Sequence, residues 1–384
     1  MPGLMLGAVL GIMLGACFVL PSTTPAGSAI APAAGVVAVT IRRIPNEILA
    51  EIFVASLPYS SVYHCPTSVD KTPLKFMSVC KNWKRVALST PELWCRAYVC
   101  ISGLELTEVE FLEGQTRGID MWLQRSGGLP LSLSIDVDYQ NWDTDPRCSD
   151  LLAQFLERWC SRWRALDLTL KSHTLMELMK AVPREDMSKL EALSIRKGAF
   201  FGEDPQFNDS LNHFLALGSL RALHLYDYDT FDHRASALGF RWEQLTELTL
   251  APISRGEGPT LTLLTALDIL SCAKSLRSCT MKLTSGEDAI VQNRTQPAIT
   301  LPFLHTLDLY LFVINQGGVS YANQDDAVQV FNRLITPSLK ILTIGSPITG
   351  IPFSAHIPFL CLLSQPSVKI ETLNIACTLN TRSH

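Results

Sequence analysis

Apolar residues recur along the C-terminal two-thirds of this chain in one six-position pattern, L-x-x-L-x-L. It runs as WRALDL from Trp163, LEALSI from Leu190, LRALHL from Leu220 and LTELTL from Leu245. LRSCTMKL from Leu276, LHTLDL from Leu304, LKILTI from Leu339 and IETLNI from Ile370 continue it. Strict alternation of this kind predicts a half-buried strand, with side chains of one parity facing a core. The starts fall 27, 30, 25, 31, 28, 35 and 31 residues apart. Helical stripes lie between several of them, at 174–182, 209–217, 261–270 and 326–335, and LPLSLSIDV (129–137) reads as an extra strand ahead of the series. One strand and usually one helix per repeat of about 30 residues means a solenoid, because no unit can bury its own apolar face. The pattern therefore predicts an irregular α/β solenoid built on one curved parallel sheet.

The preceding stretch has a different period. In IRRIPNEILAEIFVASLP, Ile44, Ile48 and Ile52 repeat at four-residue intervals, as do Leu49 and Phe53, which predicts a short amphipathic helix with Pro45 in its first turn. TPLKFMSVCKNWKRVAL follows a polar loop, with Thr72 as N-cap and Pro73 at the first helical position. Its stripe of Leu74, Met77, Cys80, Trp83, Val86 and Ala87 predicts two helices with a break near Cys80, and Thr90-Pro91-Glu92 starts another turn. A helical unit of about 55 residues is at the margin of independent stability. Its apolar stripe is generous for so small a core, which leaves part of it for a partner helix.

Charge changes this picture little. The 384-residue chain carries a net charge of −4, and residues 42–98 hold eight Lys/Arg against four Asp/Glu, a solvated basic face and not a nucleic-acid track. Eleven cysteines are scattered with no Cys-x-x-Cys pair, so neither a disulfide framework nor a zinc site is predicted. Several lie in apolar surroundings, Cys160, Cys272 and Cys361 among them, and read as small hydrophobes of a reducing compartment. Residues 4–20 form an uncharged apolar run, followed by a Pro/Ala/Gly/Ser/Thr tract to about residue 40. Three readings of it stand open: a secretory signal (to about residue 31) or membrane anchor, an unstructured leader, or a mis-assigned start of the coding sequence.

Catalytic chemistry finds no support. Gly256-Glu257-Gly258 lacks a P-loop lysine, the eight His residues never pair at metal spacing, and neither HExxH nor GxSxG occurs. The acidic pairs Asp136/Asp138, Asp143/Asp145 and Asp227/Asp229 read as solvated loop carboxylates. The expectation is a non-enzyme with no cofactor and no metal.

Two resemblances carry the functional expectation. Residues 42–98 resemble an F-box of the form common in mushroom-type fungi. The opening is Ile44-Pro45-Asn46-Glu47-Ile48-Leu49 with Ile52-Phe53, where Ile44 replaces the usual Leu; the close is VCKNWKRVALSTPELW, Val79 to Trp94. Residues 163–375 are similar to leucine-rich repeats, without the Asn or Cys usual after each strand pattern; those positions hold Lys171, Gly198, Tyr228, Ile253, Thr284, Phe312, Pro347 and Thr378. The implied organisation is a leader (1–40), an F-box (41–98) and a leucine-rich-repeat-like recognition region (99–384). The implied role is substrate receptor in an SCF-type, cullin–RING ubiquitin ligase in cytoplasm or nucleus. It docks the Skp adaptor through Ile44, Pro45, Ile48, Leu49, Ile52, Phe53, Val79 and Trp83, with Trp94 anchoring the box to the repeats. Target recognition is expected in loops after the strands, at Tyr226, Tyr228 and Asp229. The alternative is a secreted or membrane-anchored repeat protein that binds ligands, resting on residues 1–31 and the sequons at Asn208 and Asn293.

Overall fold

The computed structural model describes residues 44–57, 73–101, 108–137, 146–170, 178, 182–197, 214, 216–226, 241–251, 261–285, 297–315, 318–320, 331–346, 360–365 and 368–377. The apolar run at 4–20, Thr72, both sequons and most of the stripes at 174–182, 209–217 and 326–335 lie outside them. Among the described residues no helix is long and apolar enough to cross a membrane. The chain divides into two compact units: the first runs to Tyr98 and takes in Arg117–Leu129, the second comprises Val99–Thr116 and Pro130 onward.

The first unit is helical. Helix α1 (Asn46–Ala55) buries Leu49 and Phe53 from one face. The stripe beyond the polar loop forms two helices, α2 (Leu74–Val79) and α3 (Lys81–Leu88). They break where expected: Cys80 is fully extended at φ −161°, and its Sγ accepts the Trp83 N–H at 3.5 Å, capping α3. At the other end Thr90 Oγ1 donates to the Val86 carbonyl at 2.7 Å, and Pro91 opens a 3₁₀ turn to Trp94. The core is aromatic. Phe53 and Phe76 stack with ring centroids 4.2 Å apart, and Trp83 meets Phe53 edge-on at 5.0 Å. Trp94 is wholly buried, donates from Nε1 to the Ala87 carbonyl at 2.9 Å and meets Trp122 edge-on at 4.8 Å. Trp122 belongs to α4 (Glu108–Gln124), a helix the apolar pattern did not single out.

The rest is an irregular leucine-rich-repeat-like α/β solenoid. Each of the eight patterns forms a strand: β3 (Trp163–Leu170), β4 (Ala192–Lys197), β5 (Ala222–Tyr226), β6 (Glu247–Ala251), β8 (Ser278–Ser285), β10 (Thr306–Asn315), β13 (Ile341–Ser346) and β14 (Thr372–Cys377). β2 (Leu131–Val137) is the extra strand at 129–137, and β1 (Arg96–Ile101) straddles residue 98, the expected end of the helical unit. These ten strands form one sheet in chain order, and every pair from β2 onward is parallel. Two short strands are appended to it, β7 (Leu261–Thr262) on β8 and β11 (Gly318–Ser320) antiparallel on β10. β9 (Ile299–Thr300) and β12 (Leu334–Ile335) make a separate two-stranded sheet. Two further helices are α5 (Pro146–Trp159) and α6 (Leu263–Cys272).

Each pattern leucine has a fixed place. The first one, ahead of the strand, is buried in Leu190, Leu220, Leu245, Leu276, Leu304 and Leu339. The second and third form two continuous rows, Leu166-Leu193-Leu223-Leu248-Cys279-Leu307-Leu342 and Leu168-Ile195-Leu225-Leu250-Met281-Leu309-Ile344, all buried. Burial of each such side chain contributes about 1.5–3 kcal/mol.

A backbone ladder fastens one repeat to the next. The Glu191 carbonyl accepts the N–H groups of Arg221 (2.7 Å) and Ala222 (2.9 Å), and the Arg221 carbonyl those of Thr246 (2.8 Å) and Glu247 (3.1 Å). Thr246, Arg277, His305 and Lys340 each accept two successive amides of the following repeat in the same way. Side-chain amides add to this: Gln244 Nε2 donates to the Leu217 carbonyl at 2.7 Å, while Gln365 donates to the Leu334 carbonyl at 2.6 Å and accepts from the Thr336 N–H at 3.1 Å. These bonds tie the backbone between repeats in a chain that lacks the usual post-strand Asn.

The ladder predicts a specific asymmetry at Arg277, whose side chain is exposed and whose N–H bonds the Thr246 carbonyl at 2.7 Å. Arg277→Ala is expected to change unfolding free energy by less than about 0.5 kcal/mol. Arg277→Pro removes the donor and is expected to cost about 1–3 kcal/mol more. Urea unfolding of the two variants checks the difference.

Candidate docking and recognition surfaces

The eight residues read as a docking set fall into two groups within the first unit. Leu49, Phe53 and Trp83 are buried in the aromatic core. Ile44, Ile52 and Val79 are half-buried, Pro45 is exposed, and Ile48 is 47 % exposed. The period of α1 separates them. Residues 48 and 52 share a stripe, with Ile44 just ahead of the helix, and 49 and 53 lie about 100° further round, where Phe53 meets the rings of Phe76 and Trp83. The unit therefore presents Ile48 outward, between the half-buried Ile44 and Ile52. Beside it, Asn82 Nδ2 donates to Asn46 Oδ1 at 3.3 Å and Arg85 donates to Asn82 Oδ1 at 2.8 Å, tying the start of α3 to the start of α1. The cations of α3, Lys81, Lys84 and Arg85, are exposed.

In the second unit the polar parity of the strands makes a second surface. Its central row is Ser134, Asp167, Ser194, His224, Thr249, Thr280, Asp308, Thr343 and Asn374. Neighbours in it bond across strands: Ser134 Oγ donates to Asp167 Oδ2 at 3.2 Å, His224 Nδ1 lies 2.9 Å from Thr249 Oγ1, and Thr280 Oγ1 donates to Asp308 Oδ2 at 3.3 Å. The face is closed at one end and open at the other. Ser134, Asp167 and Ser194 are buried, whereas the row from His224 onward is half-buried or exposed.

Of the residues expected to recognise a target, Tyr226 ends β5, and Tyr228 and Asp229 lie outside the described residues. Tyr226 stands in the next row of the polar face, Thr169-Arg196-Tyr226-Ala251, and Lys282-Tyr310-Gly345 form a second such row further along the sheet. The Arg196 guanidinium carbon lies 4.8 Å from its ring centroid, a cation–π contact. Burial pushes the Tyr226 hydroxyl above its ordinary pKa, with Arg196 pulling it down and Asp167 pushing it up. Further along, a Cβ at Gly345 would collide with Tyr310 Cδ1, so only glycine lets that ring lie over β13. Tyr226 and Arg196 are interface-type side chains, partly exposed on a rigid sheet.

Asp167 was not singled out by sequence. Its signal, an acid between two core leucines in ALDLTL, is shared with Asp308, and only neighbouring strands distinguish them. Asp167 is 2 % exposed, and its Oδ1 is buried without a hydrogen bond. Burial pushes its carboxyl above the ordinary carboxylate range; the Ser194 and Ser134 hydroxyls offset this in part, and Asp136 adds to the rise. Elsewhere burial holds the Cys160 thiol up and pushes Cys279 to about 12, so both stay protonated at neutral pH. Burial lowers His224, against the opposing pull of Glu247, which favours its neutral form. Among the described residues no group of three or more His, Cys, Asp or Glu could hold a metal ion.

The raised Asp167 sets a pH dependence. A carboxyl whose folded pKa exceeds its unfolded value binds more protons in the folded state, so stability falls as pH rises from the unfolded value through the folded one. Asp167→Asn lacks this loss. Its stability relative to the unaltered chain is expected to increase across that window and level off above it, as measured by thermal unfolding from about pH 3 to pH 8.

No family model matches the chain, and no curated protein matches it. Among solved structures it is similar to a chain in the crystal structure of the yeast Rad7 and Elc1 complex, with 15 % identity and a TM-score of 0.31 over 56 % of this chain and 50 % of that one. The match thus spans half the length of that chain, and a likeness this low carries no functional weight.

Proposed function

We propose that this protein is a non-catalytic substrate receptor of an SCF-type ubiquitin ligase, docking the Skp adaptor through its helical unit and a target protein through the polar face of its repeats. The observation that carries the reading is the division of the F-box-like signature in the first unit. Leu49, Phe53 and Trp83 are buried, whereas Ile48 on the same helix as the first two is exposed, and Ile52 and Ile44, the latter just ahead of the helix, are half-buried. A small unit that leaves Ile48 exposed between two half-buried isoleucines has a use for them at an interface, where a few apolar anchors dominate affinity. Docking therefore falls to Ile44, Pro45, Ile48, Ile52 and Val79, with Leu49, Phe53 and Trp83 shaping the unit that presents them. Tyr226 and Arg196, on the partly exposed polar face, supply the target-recognition anchors. The ubiquitin chemistry belongs to partner subunits.

The division also selects the variants. Ile48→Asp is expected to weaken binding of purified Skp adaptor by about tenfold or more, which corresponds to about 1.4 kcal/mol, while leaving the unfolding midpoint nearly unchanged. Trp83→Ala is expected to lower the midpoint itself by about 3–5 kcal/mol of stability. Pull-down and calorimetry with the full chain check both. A folded, unaltered chain that binds no adaptor removes the ligase reading.

A further inference from the structure

Three consecutive turns lead into β8, β10 and β13, and they are built alike. In each, the N–H of the first pattern leucine donates to the carbonyl three residues back: Leu276 to Ala273 at 3.3 Å, Leu304 to Leu301 at 3.4 Å and Leu339 to Thr336 at 3.1 Å. Equivalent positions can therefore be matched residue by residue. The position just before that leucine is polar in the neighbouring repeats, and in several its side chain ties one repeat to the one before. Ser219 Oγ donates to the Leu190 carbonyl at 2.8 Å, Gln244 Nε2 to that of Leu217 at 2.7 Å and Ser338 Oγ to that of Pro302 at 2.6 Å. In the turn into β10 the position holds Phe303, whose side chain has no donor and is 55 % exposed. The ring gives up that bond, and an exposed apolar side chain rimmed by polar ones marks an interaction site.

The rim of this ring is basic. The residues whose carbonyls accept the amide pairs here, Arg277, His305 and Lys340, stand one strand step apart. The His305 N–H bonds the Arg277 carbonyl at 2.8 Å, and the Lys340 N–H bonds the His305 carbonyl at 2.9 Å. All three side chains are exposed, as is Lys274. Residues 273–278, 301–306 and 336–341 contain no Asp or Glu. The turns on either side do: Glu243 and Glu247 come before, and Glu371, paired with Lys340 at 2.8 Å, comes after. The basic character is thus confined to two strand steps, roughly 10 Å. Ile335 lies beside the same turn; it ends β12, is 41 % exposed, and its carbonyl accepts the Leu301 N–H at 2.9 Å.

We propose that these three turns form a docking site for a short acidic segment of a partner protein, which stacks an aromatic side chain on Phe303 and sets carboxylates against Arg277 and Lys340. Charge complementarity selects the occupant: the cations attract an acidic segment and repel a basic one. The ring supplies the apolar anchor and favours an aromatic one opposite it. The patch is smaller than the roughly 1,200 Å² of an ordinary stable interface, so the contact is weak. It lies on the turns that lead into the strands and not on the polar face of the sheet. The site is independent of the ligase reading, because its binding is measured without an adaptor.

The probe is a fluorescein-labelled peptide of Glu and Asp with one central Phe, titrated with the full chain and read by fluorescence anisotropy. A Kd of about 100 μM is expected. The same peptide with Gln and Asn for its acids, or with Ser for its Phe, is expected to bind about tenfold more weakly. Raising salt from about 0.05 to about 0.5 M is expected to weaken the acidic peptide and not the neutral one. Phe303→Ser separates binding from folding. By analogy with Ser338 and the Pro302 carbonyl, the new hydroxyl meets the Lys274 carbonyl. The thermal unfolding midpoint is therefore expected to hold or rise, while peptide affinity falls about tenfold. Arg277→Glu, at an exposed side chain, is expected to lower affinity by a similar factor with the midpoint unchanged. Equal binding of the acidic and neutral peptides overturns the proposal, and so does acidic-peptide binding that both variants retain. A Phe303→Ser chain that unfolds earlier makes the ring structural and overturns it as well.

Discussion

One carbonyl per repeat, accepting two amides of the next, is the interaction on which the larger unit depends. In an ordinary parallel pair the slanted bonds begin with the strands. Here they begin one residue earlier, at the position after the first pattern leucine, and six carbonyls from Glu191 to Lys340 repeat the arrangement. That rung sets where each strand enters the sheet. With entry fixed, the two following apolar positions align into rows and the residue between them into a polar column. Side chains on the rung positions vary freely because the backbone carries the bond: Arg164–Glu191 and Lys340–Glu371 form exposed ion pairs, and Thr246 stands at the same point with no charge.

The polar column is the consequence that bears on the proposed recognition role. Several of its members bond in cross-strand pairs, and the next row, with Tyr226 and Tyr310, lies beside it on the same face. Arg196 against the Tyr226 ring and Gly345 beneath the Tyr310 ring hold these aromatics in defined places. The helical unit reaches definition by another route. A stacked pair of phenylalanines and one edge-on tryptophan fill its interior, and Trp94 and Trp122 form a second aromatic contact braced by Arg125 4.8 Å from the Trp94 ring.

Legibility followed the period of burial. The eight L-x-x-L-x-L strands were readable because alternation with one buried face leaves a mark at every second residue. The break at Cys80 was readable because the apolar stripe changes phase there. β1, α4 and α5 were not. In α4 the anchoring residue, Trp122, is held by Trp94 and by the Arg96 carbonyl, which its Nε1 reaches at 3.0 Å. Those contacts come from segments about 26 residues away, and no local pattern encodes them. The residues proposed for docking stand in the sequence as one apolar group, and their division into buried and exposed members was not legible there, since Leu49 and Ile48 are equally apolar. Asp167 escaped because a carboxyl between leucines looks solvated until its neighbouring strands are in place.

The sequence by itself determined the repeat, its period, the parity of each strand and the helical character of the first unit. All of these are local consequences of where apolar side chains must point. Tertiary structure alone decided which apolar residues of α1 face the rings and which face solvent. It also decided which of two equivalent acids is buried. Those outcomes depend on what the neighbouring element places against a side chain, and burial by a neighbour is not written in the residue itself.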